Sequence, residues 1–284
     1  MAIRKVLVTG SDGRIGRVVV QELRDHGYEV TAADLHPTQP WLTQIVDSED
    51  LGQVIGVMQG HDAVIHLAAI PSPTRHTAEV VFRNNVMSQF NVLEAATILG
   101  IKHVVTASSL SALGHAYLHR LFNPTYIPID EPHPLLSQDT YGLSKMVGEE
   151  LCEGFLRRTP DMSLTSLRFT AVLDEGGRKH MTELHNSAEP TGFSGAFWTY
   201  VDVRDAALSC RLSMEYTTPG HEAYYITAPN IWPKEPIEEL LRTHYPGDYP
   251  VADHIRGDAS PVDCSKAERL LGWKARYNFD GSVL

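Results

Sequence analysis

The stretch Val8–Gly16, with the sequence V-T-G-S-D-G-R-I-G, decides the fold of this 284-residue chain. It follows a short apolar run and opens a helical pattern at Arg14–Asp25. In a strand–turn–helix unit of this kind, Gly10 permits the tight turn, Gly13 lets a pyrophosphate approach the backbone, and Gly16 lets the helix pack on the strand. The helix N-terminus adds free N–H groups. The stretch therefore predicts a dinucleotide-binding loop, although its spacing is G-x-x-G-x-x-G rather than G-x-G-x-x-G.

The rest of the chain alternates strand and helix patterns. The predicted strands are Lys5–Thr9, Glu29–Asp34, Gln44–Val46, Ala63–Leu67, His103–Ser108, Ser163–Arg168 and Ala223–Ile226. The predicted helices are Arg14–Asp25, Asp50–Met58, Ala78–Leu99, Thr140–Arg158, Val203–Met214 and Cys264–Leu271. Strands that are almost continuously apolar belong in a sheet covered on both faces. The alternation predicts an α/β fold with a Rossmann-type, doubly wound parallel sheet.

The regular alternation of strand and helix patterns ends after residue 169. Residues 1–169 are predicted to form a dinucleotide-binding domain that includes the helix Thr140–Arg158. Residues 170–284 are predicted to add sheet elements and a small C-terminal substrate lobe. Within them, Thr170–Ala196 has no clear period and several Gly and Pro residues, which predicts a long loop or a small irregular lobe; loops of that length are usually functional or mobile.

Bulk properties narrow the class of function. The net charge of -11 disfavours nucleic acid as a partner. No apolar run approaches the roughly 20 residues of a membrane helix, and the N-terminus does not have the pattern of a signal peptide. Three widely spaced cysteines indicate neither disulfides nor zinc. The pairs His115/His119 and His180/His185 have no third ligand nearby in sequence, so no metal site is predicted. We expect a cytoplasmic protein that acts on a small molecule.

The string D-T-Y-G-L-S-K contains the candidate acid/base pair, Tyr141 and Lys145. Residues four apart on a helix lie on one face. A phenol with a pKa of about 10 is a poor base near neutrality. A neighbouring ammonium and a positively charged nicotinamide would both favour its phenolate. The pair therefore indicates an oxidoreductase.

Asp34, at the end of the second predicted strand, is the candidate ribose ligand. A carboxylate there accepts hydrogen bonds from adenosine ribose hydroxyls and repels a 2′-phosphate. This favours NAD over NADP, while Arg14 and His36 are expected to lie nearby and would weaken the preference.

Seven separated motifs give the chain a family resemblance. They are T-G-S-D-G-R-I-G, D-A-V-I-H-L-A-A (62–69), N-N-V-M-S-Q-F-N-V-L-E-A-A (84–96), V-V-T-A-S-S-L-S-A-L-G (104–114), Y-G-L-S-K, Y-V-D-V-R-D-A-A (200–207) and D-C-S-K-A-E-R-L-L-G-W-K (263–274). In this order they resemble the extended short-chain dehydrogenase/reductase family, also called the NAD-dependent epimerase/dehydratase family. The resemblance runs nearly end to end but says much less about the substrate.

The resemblance implies roles for named residues. Ser109 would join Tyr141 and Lys145 as the catalytic set, with Ser108 as the competing hydroxyl. The cofactor NAD would be bound by Gly10, Gly13, Arg14, Ile15, Gly16, Asp34, Asp47, Leu67, Ala68, Ala69, Asn85, Tyr141 and Lys145. The substrate would contact Ser72, Ser111 and Arg178.

The reaction is narrowed by departures from the family's nucleotide-sugar epimerases. Ala171 stands where those enzymes have an Asn, and Trp198 stands where they have a diphosphate-binding Arg. Asp130-Glu131, the one candidate dehydratase acid pair, lies between two prolines. The chain is more similar to the small uronate dehydrogenases, although Pro71 and Leu110-Ser111 differ from their pattern. We predict an NAD-dependent dehydrogenase of a small sugar or sugar acid. The alternatives are a sugar 4-epimerase that retains NAD and, less favoured, a non-catalytic dinucleotide sensor.

The resemblance also implies a homodimer. Helices Ala78–Leu99 and Thr140–Arg158 would pair with their copies in a four-helix interface, with Met146, Leu151 and Phe155 as apolar contacts.

Overall fold

A computed structural model describes residues 3–284 and shows an α/β fold. The strands are β1 (Lys5–Thr9), β2 (Glu29–Asp34), β3 (Thr43–Ile45), β4 (Ala63–His66), β5 (His103–Ser109), β6 (Ser163–Phe169), β7 (Ala171–Leu173), β8 (Tyr200–Asp202) and β9 (Gly220–Ile226). The helices are α1 (Gly16–Asp25), α2 (Leu51–Met58), α3 (Ala78–Leu99), α4 (Thr140–Arg158), α5 (Glu175–Asn186), α6 (Val203–Glu215), α7 (Ile237–His244) and α8 (Ser265–Leu271). A short 3₁₀ helix, Leu110–Leu113, follows β5.

The main sheet has seven strands in the order β3-β2-β1-β4-β5-β6-β9. Every neighbouring pair in it is parallel. The order reverses direction at β1, which is the topology of a doubly wound Rossmann-type sheet. The predicted fold class is confirmed.

Apolar side chains cover both faces of the sheet. One core joins α1, α6 and α8 to the sheet through residues such as Val19, Leu208 and Trp273. The other joins α2, α3 and α4 through residues such as Val54, Val92 and Cys152. The central strands β1 and β4 are almost continuously apolar because helices pack on both faces of the sheet.

The prediction of a long loop at Thr170–Ala196 is wrong. The segment begins with β7, which pairs in parallel with β8, and continues into the 12-residue helix α5. Asp174 starts this helix because its carboxylate accepts a hydrogen bond from the Gly177 amide at 3.0 Å. Gly176 and Gly177 lie in the first turn of this helix. Because Gly is a poor helix former, helix propensity alone does not predict α5. Helix α7 was also missed.

One predicted dimer contact is wrong as well. Phe155 is 5% exposed and lies in the protomer's own core, where its ring meets Phe90 edge to face at 5.6 Å. Leu151 and Met146 are half-buried. Across residues 3–284, no helix is both long and apolar enough to cross a membrane.

Candidate active site

The carboxyl ends of the parallel strands bring most of the predicted site residues to one edge of the sheet. β1 ends at Thr9, directly before the glycine loop, and β2 ends at Asp34. β4 ends at His66, before Leu67, and β5 ends at Ser109. This is the edge at which doubly wound sheets bind ligands.

The glycine loop packs directly on the backbone that follows β4. Gly10 has φ +66°, and a Cβ built on it would lie 2.5 Å from the Ala68 nitrogen. A Cβ on Gly16 would lie 2.0 Å from the Gly10 oxygen. Gly13 is exposed and its amide donates to the Gly10 carbonyl at 3.1 Å. The loop thus keeps an open backbone surface beside residues 67–69, which fits a dinucleotide.

The next two loop residues differ in direction. Ile15 is the last residue before α1, so its neighbourhood carries the free N–H groups of the helix N-terminus. The Arg14 guanidinium turns toward β7, where it donates to the Val172 carbonyl at 3.1 Å and lies 3.4 Å from an Asp174 oxygen. Arg14 is therefore held away from Asp34.

The two residues predicted to bind adenosine, Asp34 and Asp47, lie at the end of β2 and shortly after β3. Asp34 accepts hydrogen bonds from the Asp12 and His36 amides, both at 3.0 Å, which fixes its carboxylate beside the glycine loop. Asp47 follows β3 and accepts a hydrogen bond from the Glu49 amide at 2.9 Å.

Asn85 acts within the protein as a brace. Its side-chain oxygen accepts from the Ile70 amide at 2.8 Å, and its nitrogen donates to the Ile70 carbonyl and the Ser144 hydroxyl, both at 3.1 Å. It is 5% exposed. Asn85 therefore fixes the segment after Ala69 against α4.

The structure brings Ser109, Tyr141 and Lys145 together. Asp139 starts α4 by accepting hydrogen bonds from the Tyr141 and Gly142 amides at 2.9 Å, which fixes the turn that carries the phenol. The Lys145 ammonium donates to the Ala107 carbonyl at 2.7 Å and lies 5.6 Å from the centre of the Tyr141 ring.

Burial dominates the electrostatics of this set. It raises the pKa of Tyr141 to about 12, against a smaller opposing effect of the hydrogen bond with Ser109. It lowers the pKa of Lys145 to about 8. The protein alone therefore favours a neutral phenol, contrary to the expectation from the ammonium by itself. Perturbed ionisable groups of this kind are typical of functional sites.

Ser108 lies on the opposite face of β5. Its hydroxyl donates to a Glu149 oxygen at 2.6 Å, and Glu149 pairs with Arg168 at 2.7 Å. Burial lowers the pKa of Arg168, but the hydrogen bonds to Glu149 outweigh it and the net pKa is raised. Glu149 and Arg168 line a cavity of about 870 Å³ behind α4, lined also by His221. Of the two candidate serines, Ser109 hydrogen-bonds Tyr141, whereas Ser108 hydrogen-bonds Glu149.

The predicted substrate residues are spread around this edge. Ser111 is 7% exposed and its amide donates to the Ser109 hydroxyl at 3.1 Å. Ser72 lies in the loop before α3, with its hydroxyl 3.0 Å from that of Thr74. Arg178 lies on α5 and pairs with the buried Asp202 at 3.0 Å, so its charge is already compensated within the protein.

Asp12 and His66, which lie near the cofactor edge, are not among the predicted site residues. Asp12 accepts hydrogen bonds from the segment after β2. His66 bonds the Thr9 hydroxyl at 2.7 Å, and its burial lowers its pKa to about 3, an effect that the Lys145 charge reinforces. A carboxylate inside a glycine loop is the signal that would have found Asp12.

The comparison with known families agrees with this geometry. The profile of the "NAD dependent epimerase/dehydratase family" matches residues 6–217. The chain belongs to this family. The resemblance inferred from the motifs is thereby confirmed, and so is NAD as the cofactor.

Relatives of this family member differ in their reactions. GDP-mannose 3,5-epimerase 1 of Oryza sativa subsp. japonica is 30% identical over 163 residues, 54% of this chain and 43% of that protein. Uronate dehydrogenase of Pseudomonas putida is 28% identical over 159 residues, 54% of this chain and 56% of that protein. The matched stretches thus span about half the length of these curated relatives.

A solved structure extends the likeness in fold over nearly the whole chain. It is a short-chain dehydrogenase/reductase superfamily protein from Agrobacterium tumefaciens with bound NAD, with a TM-score of 0.74 and 23% identity. The match covers 98% of this chain and 94% of that one.

Proposed function

We propose that the protein is an NAD-dependent dehydrogenase that oxidises a hydroxyl of a small free sugar or sugar acid. The observation that carries the proposal is the buried Tyr141–Lys145 pair beside Ser109, at the same sheet edge as the glycine loop. The relative named uronate dehydrogenase supports this class of substrate.

The cofactor site of the proposal consists of the glycine loop with Arg14 and Ile15, the carboxylates Asp34 and Asp47, and the segment Leu67–Ala69. Asn85 supports that segment through Ile70. NAD, when bound, supplies the hydride acceptor and a positive charge on its ring. The close approach of Gly10 to Ala68 leaves backbone, rather than side chains, facing this groove.

The residues then divide the proton chemistry among them. Ser109 holds the substrate hydroxyl, and Tyr141 takes its proton. Lys145 fixes a positive charge near the phenol, since its ammonium is anchored on the Ala107 carbonyl at 2.7 Å. Tyr141 can take this proton only as a phenolate, so the phenol first releases its own proton, which leaves to solvent. The pKa of about 12 means that Tyr141 becomes a base only when further positive charge enters the site.

A free substrate, rather than a nucleotide-linked one, is supported by Trp198. This residue is fully buried, its indole N–H donates to the Gly192 carbonyl at 3.0 Å, and its ring packs against Tyr245 and His244. Phe197 and Trp198 have φ values of 54° and 58°, uncommon for bulky residues, so tertiary packing sets this turn. An aromatic cluster therefore fills the position at which related epimerases have an Arg.

A sugar 4-epimerase that retains NAD is the second candidate. The relative named GDP-mannose 3,5-epimerase supports epimerisation in general, and the same catalytic set serves both reactions. The candidates differ in whether NADH leaves the protein after each turnover.

An absorbance assay tests the proposal. The purified protein is incubated with NAD⁺ and a panel of free sugars, uronic acids and nucleotide sugars, and NADH is followed at its absorbance band. Steady NADH formation with a free sugar or sugar acid is expected, and Tyr141→Phe supplies the matched background. Formation of a product isomer without NADH release would replace the proposal with the epimerase. A response to nucleotide sugars alone would contradict the assignment of a free substrate.

We further propose a homodimer through α3 and α4. The exposed apolar side chains that fit this role are Met87, Ile98 and Leu143, at 39%, 56% and 40% exposure. Light scattering at micromolar concentration tests it, and a monomer would contradict it.

A further inference from the structure

Asp12, the carboxylate inside the glycine loop, is saturated with hydrogen bonds from the segment that follows β2. One of its oxygens accepts from the amides of Thr38 and Gln39, the latter at 2.8 Å, and from the Thr38 hydroxyl at 3.3 Å. The other accepts from the hydroxyls of Thr43 at 3.0 Å and Ser11 at 2.9 Å. Burial raises the pKa of this carboxyl, but these bonds outweigh it and the net pKa is lowered. Asp12 is therefore ionised and immobile.

These donors form a nest of the kind that proteins use for anions. Two successive backbone N–H groups and three hydroxyls converge on the Asp12 carboxylate, as such donors do around bound phosphates. The nest lies directly after Asp34, on the side of the glycine loop where the adenosine ribose is proposed to bind. A 2′-phosphate would need donors in this segment, and Asp12 already occupies them.

Arg14, a candidate cation for binding a 2′-phosphate, points away from Asp34. Arg14 would be able to accept a 2′-phosphate if its side chain faced Asp34, but it bonds the Val172 carbonyl and pairs with Asp174. The backbone amide of Asp12 donates to an Asp34 oxygen at 3.0 Å, so the two residues are neighbours at this end of the groove. Both add negative charge to the same end of the groove.

We infer that Asp12 is a second specificity-determining residue for the cofactor: its carboxylate stands in for the 2′-phosphate in the donor nest and, together with Asp34, excludes NADP. Asp34 repels the phosphate, and Asp12 removes its hydrogen-bond donors as well. The inference rests on the proposed place of Asp34 at the adenosine ribose.

Calorimetric titration of the purified protein with NAD⁺ and with NADP⁺ tests this without knowledge of the substrate. In Asp12→Asn the side-chain oxygen still holds the Thr38 and Gln39 amides, but the charge is lost. In Asp12→Ala both the charge and the acceptor are lost, so the donors become free. The ratio of Kd for NADP⁺ to Kd for NAD⁺ is expected to fall by about fivefold in the Asn variant, the scale of one charge interaction near a surface, and further in the Ala variant.

Asp62 provides the matched control. Its carboxylate accepts the amides of Arg4 and Lys5 at 2.9 and 2.8 Å, also two backbone donors, but at the opposite edge of the sheet. Asp62→Asn and Asp62→Ala should leave the ratio unchanged. If Asp12→Ala does not fold, the Asn variant decides the question.

Parallel losses of affinity for both cofactors, with an unchanged ratio in both Asp12 variants, would show a purely structural role and overturn the inference. A wild type that binds both cofactors equally would overturn it too. Asp34→Ala, titrated alongside, separates the two levels. If Asp34→Ala changes the ratio and the Asp12 variants do not, only the present inference fails; if Asp34→Ala also has no effect, the proposed position of the ribose fails with it.

Discussion

Two successive turns of α4 place buried ionisable groups in opposite surroundings. In the first of these turns the Lys145 ammonium is buried and bonded to a carbonyl, that of Ala107. One turn later, on the same side of the helix, Glu149 is also buried but meets the Arg168 guanidinium and the Ser108 hydroxyl. The same helix thus carries a charge that burial destabilises and a charge that its neighbours compensate.

The difference follows from the alternation of β5. Successive side chains of a strand point to opposite faces, so Ser108 and Ser109 are assigned to different networks by one residue of register. Charges that are paired within the protein, such as those of Glu149 and Arg168, stabilise the fold and take little part in proton transfer. Ionisable groups whose pKa is shifted by burial, such as Lys145 at about 8 and Tyr141 at about 12, are typical of functional sites. The comparison predicts that substitutions at the two turns have separable effects, on rate and on stability.

The largest expected effect is on the rate. Tyr141→Phe should lower turnover by about 10²–10⁴-fold, the usual contribution of a positioned acid/base group, while NAD⁺ still binds. Only the phenolic oxygen is lost, so the thermal unfolding temperature should hardly change. Steady-state kinetics on the substrate found in the panel, with calorimetric NAD⁺ binding, measure both. A variant that keeps more than about a tenth of the rate would remove Tyr141 from the catalytic set.

The second effect is on stability. Glu149→Gln leaves the Arg168 guanidinium buried without its counter-ion, which should cost about 3–5 kcal/mol of unfolding free energy. Urea unfolding measures it, and the exposed neighbour Glu150→Gln is the control for a lost charge on the same helix. The double variant Glu149→Leu/Arg168→Met should recover part of the loss, because no unpaired charge remains. A loss as small as that of the control would show that the pair contributes little.

The sequence predicts some of these elements better than others. Helices α3 and α4 have the predicted bounds: Gly100, in the left-handed conformation, ends α3, and the Asp139 carboxylate caps the start of α4. The alternation of β5 did not settle Ser108 against Ser109, since both faces of a parallel sheet are buried and either hydroxyl fits the motif. Helix α5 was missed because Gly176 and Gly177 oppose it locally, while Asp174 and packing against β7 stabilise it in the fold. The pairing of Arg178 with Asp202 joins residues 24 apart, which no local pattern reveals.

The third effect is a pH dependence of stability that comes from the buried Lys145 ammonium. The pKa of Lys145 is about 8 in the folded protein and 10.5 ordinarily, so the unfolded chain binds more protons between these values. Stability contributed by this group therefore rises with pH through that window. Lys145→Met should be more stable than wild type at pH 7, by up to about 3 kcal/mol, and this advantage should shrink toward pH 10.

Thermal unfolding of both proteins from pH 7 to 10 measures the difference, and the exposed Lys234→Met gives the background change with pH. A constant gap between wild type and Lys145→Met across this range would mean that the buried amine keeps its ordinary pKa. Burial of Lys145 would then not explain the chemistry proposed for this site.

The smallest effects separate the two serines. Ser108→Ala removes a 2.6 Å hydrogen bond to Glu149 and should cost about 1–2 kcal/mol of stability with no change in kcat. Ser109→Ala should do the reverse: at least about a tenfold loss of kcat, with the unfolding midpoint nearly unchanged. Measuring urea midpoints and kcat on both variants gives each serine the other as its control. Equal losses of rate in the two variants would show that the faces of β5 are coupled. A loss of rate in Ser108→Ala alone would exchange their roles, since the serine that faces the substrate is the one whose removal slows the chemistry.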